Sequence, residues 1–258
     1  MFTEPQRNML DRAVATVRDD ARLDALLAGG SYVTGGFDAQ SDFDFIVVVR
    51  TDAHAEVMAE RRAIAARLGA LLAAFTGEHV GEPRLLICLY GPPLLHVDLK
   101  FVAADDLDDM AERPAILWAR DPEAMARRVA DARLKLSSRE AQWFEDRAWL
   151  WLHYSATKLL RGEYFEALGA IEFFRDVVLA RMLQRNAGRP QRGARRIEAV
   201  TGARERLLPT LATYDRATIA AALKQIAALY VELRQGDPPA APVVGMPKLL
   251  LDFLDGTE

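Results

Sequence analysis

The sequence predicts an α/β (α+β) domain with a small mixed sheet. An all-α helical bundle domain follows it. Runs rich in β-branched and aromatic residues are concentrated in the first part of the 258-residue chain. The composition changes after Asp105, and from Asp121 onward apolar residues recur at helical spacing. We therefore expect an α/β domain over residues 1–115 and an α-helical C-terminal domain over residues 116–258.

The first domain is predicted to open with a helix, because Thr3-x-x-Gln6 has the pattern of a capping box. The leucines of residues 23–27 indicate a short second helical piece that ends at Gly29-Gly30. Residues 52–75 show apolar positions spaced for one helix face, which predicts a long helix.

Three strands are predicted, at residues 43–49, 84–90 and 95–102. The last two are separated by Gly91-Pro92-Pro93, which is too short for a parallel crossover. These two strands should be antiparallel, so the sheet should be mixed in direction. Residues 115–118 are apolar, and their pattern leaves helix and strand both open.

The second domain is predicted to be a bundle of antiparallel helices. A capping box at Ser137-x-x-Glu140 opens a long helix that Gly162 terminates. The helices expected here cover residues 137–161, 163–186, 203–208, 215–234 and 246–254.

Bulk properties narrow the classes of function. The formal net charge of -4 argues against a long nucleic-acid-binding tract, although it does not exclude nucleic acid. Cys88 is the single cysteine, so no disulfide can form within the chain, as is usual in a reducing compartment. The first residues do not resemble a signal peptide, and no apolar run approaches the ~20 residues of a membrane helix. We expect a cytoplasmic protein without a membrane partner.

The most informative motif is Asp42-Phe43-Asp44 at the start of a predicted strand. Side chains alternate along a strand, so both carboxylates share one face while the phenylalanine faces the core. Two adjacent carboxylates repel unless a cation lies between them, and Mg²⁺ suits carboxylate and phosphate oxygens together. Asp98, in another alternating strand, could supply the third carboxylate of a site for two Mg²⁺ ions.

A glycine-bearing turn precedes this motif by ten residues. Gly30-Ser31 could bring backbone N–H groups and a hydroxyl close to phosphate oxygens. Ser41, next to the first aspartate, is grouped with these two residues as a nucleotide-binding candidate. Carboxylates on one side and a phosphate cradle on the other indicate phosphoryl-type chemistry.

Gly30-Ser31, Asp42-Phe43-Asp44 with the following apolar strand, and Asp98 together resemble the signature of the DNA-polymerase-β-type nucleotidyltransferase superfamily. The resemblance covers the first ~105 residues, and the stretch Lys158–Ala167 resembles the helical domain of the aminoglycoside and lincosamide adenylyltransferase type. It implies Mg²⁺-dependent transfer of a nucleoside monophosphate from a triphosphate, ATP by preference, to a hydroxyl with release of pyrophosphate.

Several candidates also have ordinary structural explanations. Lys158 could contact the triphosphate, although most helix lysines are simply solvated. Glu163 and Glu166 could bind substrate or act as a base, but acidic residues are favoured in any first helical turn. His96 shares a face with Asp98, and we favour a satisfied polar neighbour over a substrate contact.

The predicted function is therefore nucleotidyl transfer to a small cationic or polyhydroxyl acceptor such as an aminoglycoside-like antibiotic, since an acidic site attracts cations. Two alternatives stay open. One is transfer to RNA or to a protein side chain, as in a toxin–antitoxin system, and the other is a non-catalytic nucleotide-binding module. The acceptor, the base of the triphosphate, the choice of general base between Asp98 and a C-terminal glutamate, and the oligomeric state are not determined by the sequence.

Overall fold

A computed structural model describes residues 2–135 and 138–256. It divides into two compact units, Met1–Leu136 and Ser137–Glu258. The predicted boundary at residue 115 lies earlier, because residues 115–119 form a strand of the sheet and the following helix packs against it. The first unit therefore includes everything needed to cover its sheet.

The first unit is built around one mixed sheet. The described part of this unit contains the strands β1 (Leu23–Ala28), β2 (Phe43–Val49), β3 (Leu71–Gly77), β4 (Glu82–Tyr90), β5 (Leu95–Ala103), β6 (Asp109–Met110), β7 (Ala115–Ala119) and β8 (Arg133–Leu134). Within the described ranges, six of them form a sheet in the order β3-β4-β5-β2-β1-β7, and β6 pairs with β8 separately. The pair β2–β5 is parallel and the other pairs of the large sheet are antiparallel, which confirms the predicted mixed sheet.

The helices of the first unit cover both faces of this sheet. They are α1 (Glu4–Asp19), α2 (His54–Ala66) and α3 (Pro122–Asp131). Residues of α1 and α2 pack with Phe43 and Phe45 in one core, and residues of α3 pack on the opposite face in a second core. The predicted capping box of α1 is confirmed, since Thr3 and Gln6 cap each other's backbone N–H groups.

One predicted helical segment is wrong, and another is longer than the helix observed. Residues 23–27 form β1, which pairs with β2 on one side and β7 on the other. A strand with both faces covered is a continuous apolar run, so periodicity cannot distinguish it from a short helix. The predicted helix over residues 52–75 ends at Ala66, and Leu71–Gly77 pairs with β4 as an edge strand on which Leu72 is exposed.

The second unit is all helical in its described residues, as predicted. Its helices are α4 (Ala141–Leu160), α5 (Tyr164–Phe174), α6 (Arg181–Asn186), α7 (Ala203–Leu207), α8 (Arg216–Leu233) and α9 (Lys248–Asp255). A π-helical segment, Arg175–Ala180, joins α5 to α6, so residues 164–186 form one helical run. Ser137 of the predicted capping box lies outside the described residues. No helix in the described part of the chain is long and apolar enough to cross a membrane.

A buried carboxylate links the elements of the second unit. Glu145 is 1% exposed and accepts hydrogen bonds from Trp149 Nε1 (2.9 Å), the Tyr230 hydroxyl (2.5 Å), Arg234 Nη1 (2.8 Å) and the Val243 N–H (2.8 Å). Burial raises the pKa of Glu145, but these hydrogen bonds outweigh it and hold the pKa below its usual value. The ionised carboxylate therefore stabilises the bundle.

We expect Glu145→Gln to lower the free energy of unfolding by about 3 kcal/mol, because it leaves the Arg234 charge without its buried partner. Urea denaturation at pH 7 measures this loss. The exposed Glu205→Gln is a matched control and should change it by less than about 0.5 kcal/mol. Since the folded pKa is depressed, the stabilisation is present above the pKa of an unfolded glutamate and is lost in more acidic solution. A variant no less stable than the control would contradict the assignment.

Candidate functional site

Three aspartates line one face of the sheet in the first unit. Asp44 on β2 and Asp98 on β5 are direct partners in the parallel ladder, and Asp42 lies just before β2. Phe43 and Phe45 are fully buried on the opposite face, as the alternation predicts. The side chains of Asp42 and Asp98 are 33% and 22% exposed, so solvent and ligands reach them.

His96 lies between these carboxylates. Its Nε2 is 2.9 Å from Asp98 Oδ1, and its Nδ1 is 3.9 Å from Asp42 Oδ2. The predicted polar neighbour is thus observed, and its side chain is about half exposed. The imidazole can donate a hydrogen bond from Nε2 to Asp98.

The chemistry of these donors fits Mg²⁺, which prefers carboxylate oxygens. The ladder places two of the three carboxylates side by side, which is the arrangement a bridging cation needs. Within the described residues, however, no group of three or more His, Cys, Asp or Glu side chains could hold a metal ion as the side chains stand. Metal binding by Asp42, Asp44 and Asp98 therefore stays a prediction.

The turn at Gly30 packs directly against this row. Gly30 has φ of +59°, and a Cβ atom at this position would lie 1.8 Å from Asp44 Oδ2. The Gly29 N–H donates to the Asp44 carbonyl oxygen at 2.9 Å. Only glycine allows the backbone to approach the aspartate this closely, so the predicted turn and the predicted carboxylate belong to one assembly.

The two candidate serines, Ser31 and Ser41, differ in their hydrogen bonding. Ser31 is 6% exposed, and its Oγ has no hydrogen-bond partner among the described residues. A buried hydroxyl without a partner is costly, and a ligand that donated to it or accepted from it would remove that cost. The Ser41 hydroxyl instead accepts from the Asp38 N–H at 2.9 Å and lies 3.1 Å from Asp38 Oδ1, which closes the turn before β2. Contact between Ser41 and a nucleotide stays a prediction.

Sequence reasoning missed Glu112. Its Oε1 accepts a hydrogen bond from the Gly30 N–H at 2.5 Å, across 82 residues of sequence. Glu112 belongs to no motif and lies between β6 and β7. The pairing of β7 with β1 brings this segment to the turn, and the apolar pattern of residues 115–118 was the one signal that could have placed it.

The other predicted residues form a cluster in the second unit. Lys158 Nζ lies 2.7 Å from Glu163 Oε2 and 3.0 Å from Glu166 Oε2, and the Tyr154 hydroxyl also contacts Glu166. Hydrogen bonds to the two glutamates raise the pKa of Lys158, and those from Tyr154 and Lys158 lower the pKa of Glu166. The structure thus brings Lys158, Glu163 and Glu166 together within their own unit, with their charges paired to one another, and their predicted contacts with nucleotide or substrate stay predictions.

Comparison with known proteins gives limited results. No protein-family model matches the chain, and neither does any curated protein sequence. Among solved structures, the chain is similar to an aminoglycoside 6-adenyltransferase from Bacillus subtilis, with a TM-score of 0.36 and 16% identity over 98% of this chain and 95% of that one. It is also similar to a nucleotidyltransferase-like protein from Exiguobacterium sibiricum, with a TM-score of 0.39 and 15% identity over 89% of this chain and 77% of that one. At these values neither likeness carries an argument about function.

Proposed function

We propose that this protein is a nucleotidyltransferase that moves a nucleoside monophosphate, AMP from ATP, to a hydroxyl group of a small acceptor. The observation that carries the proposal is the ladder pairing of Asp44 with Asp98, with Asp42 beside them and the Gly30 turn against Asp44. Carboxylates next to a close-approach glycine turn are the parts that phosphoryl chemistry requires.

Each group has a defined task in this proposal. Asp42, Asp44 and Asp98 are the residues that would hold two Mg²⁺ ions, which when bound neutralise the triphosphate and polarise its α-phosphate. The Gly30 N–H and the Ser31 hydroxyl donate hydrogen bonds to the phosphate oxygens. His96 can donate a hydrogen bond to Asp98 and hold that carboxylate in place.

The reaction follows from these positions. The acceptor oxygen forms a bond to the α-phosphorus, the bond from that phosphorus to the bridging oxygen breaks, and pyrophosphate leaves with the electron pair. The proton of the acceptor hydroxyl passes to a carboxylate, for which Asp98 is the candidate in the first unit. The contacts of Lys158, Glu163 and Glu166 with a triphosphate or an acceptor stay predictions.

A cationic or polyhydroxyl acceptor suits this chemistry best. The partly exposed carboxylate row attracts positive charge. An aminoglycoside-like antibiotic has both amino and hydroxyl groups, which makes resistance by modification the biological role that we propose.

The direct test is a transfer assay with Mg²⁺ and α-labelled ATP, GTP, CTP or UTP. We expect pyrophosphate release and labelling when ATP is offered with cationic amino-alcohols such as aminoglycosides, and little without an acceptor. Labelling of cellular RNA or protein instead would replace the small acceptor with a macromolecule. Binding of triphosphate without labelling of any acceptor would contradict transfer and favour a binding module.

A further inference from the structure

The carboxylate of Glu112 contacts the Gly30 turn in the first unit. It accepts from the Gly30 N–H at 2.5 Å, and Oε1 would be 3.2 Å from a Cβ atom at Gly29. Hydrogen bonds from a backbone N–H to an ionised carboxylate are among the stronger ones in proteins. The protein's own anion therefore lies where the proposed function needs a phosphate oxygen.

The Ser31 hydroxyl, next to Gly30 in the chain, also supports the placement of an anion at this turn. Ser31 follows Gly30 directly, is buried, and has an Oγ without a hydrogen-bond partner among the described residues. Glu112 thus engages the backbone donor of the turn, whereas the adjacent hydroxyl stays unsatisfied. A larger anion with several oxygens could satisfy both donors, which one carboxylate does not do here.

The backbone around Glu112 is held on both sides. Before it, β6 pairs with β8, and after it β7 pairs with β1. The Arg113 guanidinium donates to the carbonyl oxygens of Ala130 and Ala132 near the end of α3. Glu112 itself is only partly buried. Rotation about the side-chain bonds would take the carboxylate away from the turn while the backbone stays in place.

We propose that Glu112 is a resident competitor of the triphosphate, which must leave the Gly30 N–H when a phosphate oxygen binds and which thereby sets the nucleotide affinity. The proposal rests on the proposed function. Two anions cannot share one N–H donor at close range, because their charges repel. Glu112 therefore lowers the affinity for any phosphate at this turn, and it keeps the turn satisfied when no nucleotide is present.

The test compares ATP binding to wild-type protein and to Glu112→Gln by isothermal titration calorimetry, with Mg²⁺ and with EDTA. The amide is close in shape to the carboxylate but carries no charge, so it competes less well. We expect the dissociation constant of ATP to fall about tenfold, the factor that corresponds to about 1.4 kcal/mol. The fall should occur in both conditions, because the competition does not involve a metal.

Glu123→Gln is the matched control, since Glu123 is an exposed glutamate on α3 and the substitution removes the same charge. It should leave the dissociation constant within about twofold of the wild-type value, given that screening weakens distant charges. Thermal unfolding of each variant without ATP shows that the fold is kept. An equal gain in ATP affinity in both variants would show that the effect comes from the change in net charge, which would overturn the proposal.

Other outcomes are equally decisive. A weaker affinity of Glu112→Gln confined to the Mg²⁺ condition would make Glu112 a metal ligand and overturn the proposal. Unchanged affinity in both conditions would also overturn it, while leaving nucleotidyl transfer intact. If Glu112→Gln binds ATP more tightly but the wild-type protein labels no acceptor, the competitor role of Glu112 is supported and the proposed function is contradicted. The two proposals can therefore fail separately.

Discussion

Asp42→Asn should lower the rate of nucleotidyl transfer about a thousandfold, the effect expected from losing several kcal/mol of transition-state stabilisation. The amide keeps the shape of the carboxylate and removes its charge, so it cannot hold a divalent cation as one of three carboxylates would. Asp42 is one-third exposed and lies before β2 rather than in the core, so the fold should survive. Steady-state kinetics with saturating ATP measures the loss.

The control for this substitution is Asp11→Asn, at an exposed position of α1. It makes the same chemical change away from the sheet and should leave kcat within about twofold, because isolated surface changes have small effects. Urea denaturation of both variants separates activity from stability. If Asp42→Asn retains wild-type activity, the carboxylate row does not perform the reaction and the proposed mechanism is wrong.

The strand alternation around Asp42 and Asp44 could be predicted from the sequence, because a strand period of two is a local property. The same holds for Asp98, whose flanking Val97 and Leu99 are buried as an alternating strand requires. What the pattern alone could not supply was the register, which makes Asp44 and Asp98 direct partners. Register is set by tertiary packing and by turns, not by either strand alone.

Other parts of the site were beyond sequence reasoning for identifiable physical reasons. β1 is buried on both faces, and its apolar run therefore carries no period that distinguishes a strand from a helix. Glu112 reaches Gly30 only because β7 pairs with β1, and neither element was assigned as a strand. A long-range contact made by one residue outside any motif has no signal at that residue, so the contact between Glu112 and Gly30 became visible only with the fold.

Gly30→Ala should lower kcat/KM at least a hundredfold, since displacement of a reacting group by about 1 Å can cost that much. The new Cβ atom would lie 1.8 Å from Asp44 Oδ2 and 2.8 Å from Asp44 Cγ, so the carboxylate must leave its position in the row. The hydrogen bond from Gly29 N–H to the Asp44 carbonyl oxygen ties the two backbones together, which prevents the turn from simply moving away. The positive φ adds strain of about 1–2 kcal/mol.

The control variant Gly35→Ala separates the two effects of Gly30→Ala, because it introduces the backbone strain without a clash against Asp44. Gly35 lies in the same loop with φ of +76°, but a Cβ atom there meets nothing within 4 Å. It should therefore lose about 1 kcal/mol of unfolding free energy and keep its activity. A double-mutant cycle sharpens the comparison, because in an Asp44→Ala background Gly30→Ala should cost no more stability than Gly35→Ala does. Equal activity of the two single glycine variants would show that Asp44 can move freely and that its close approach to Gly30 has no part in the reaction.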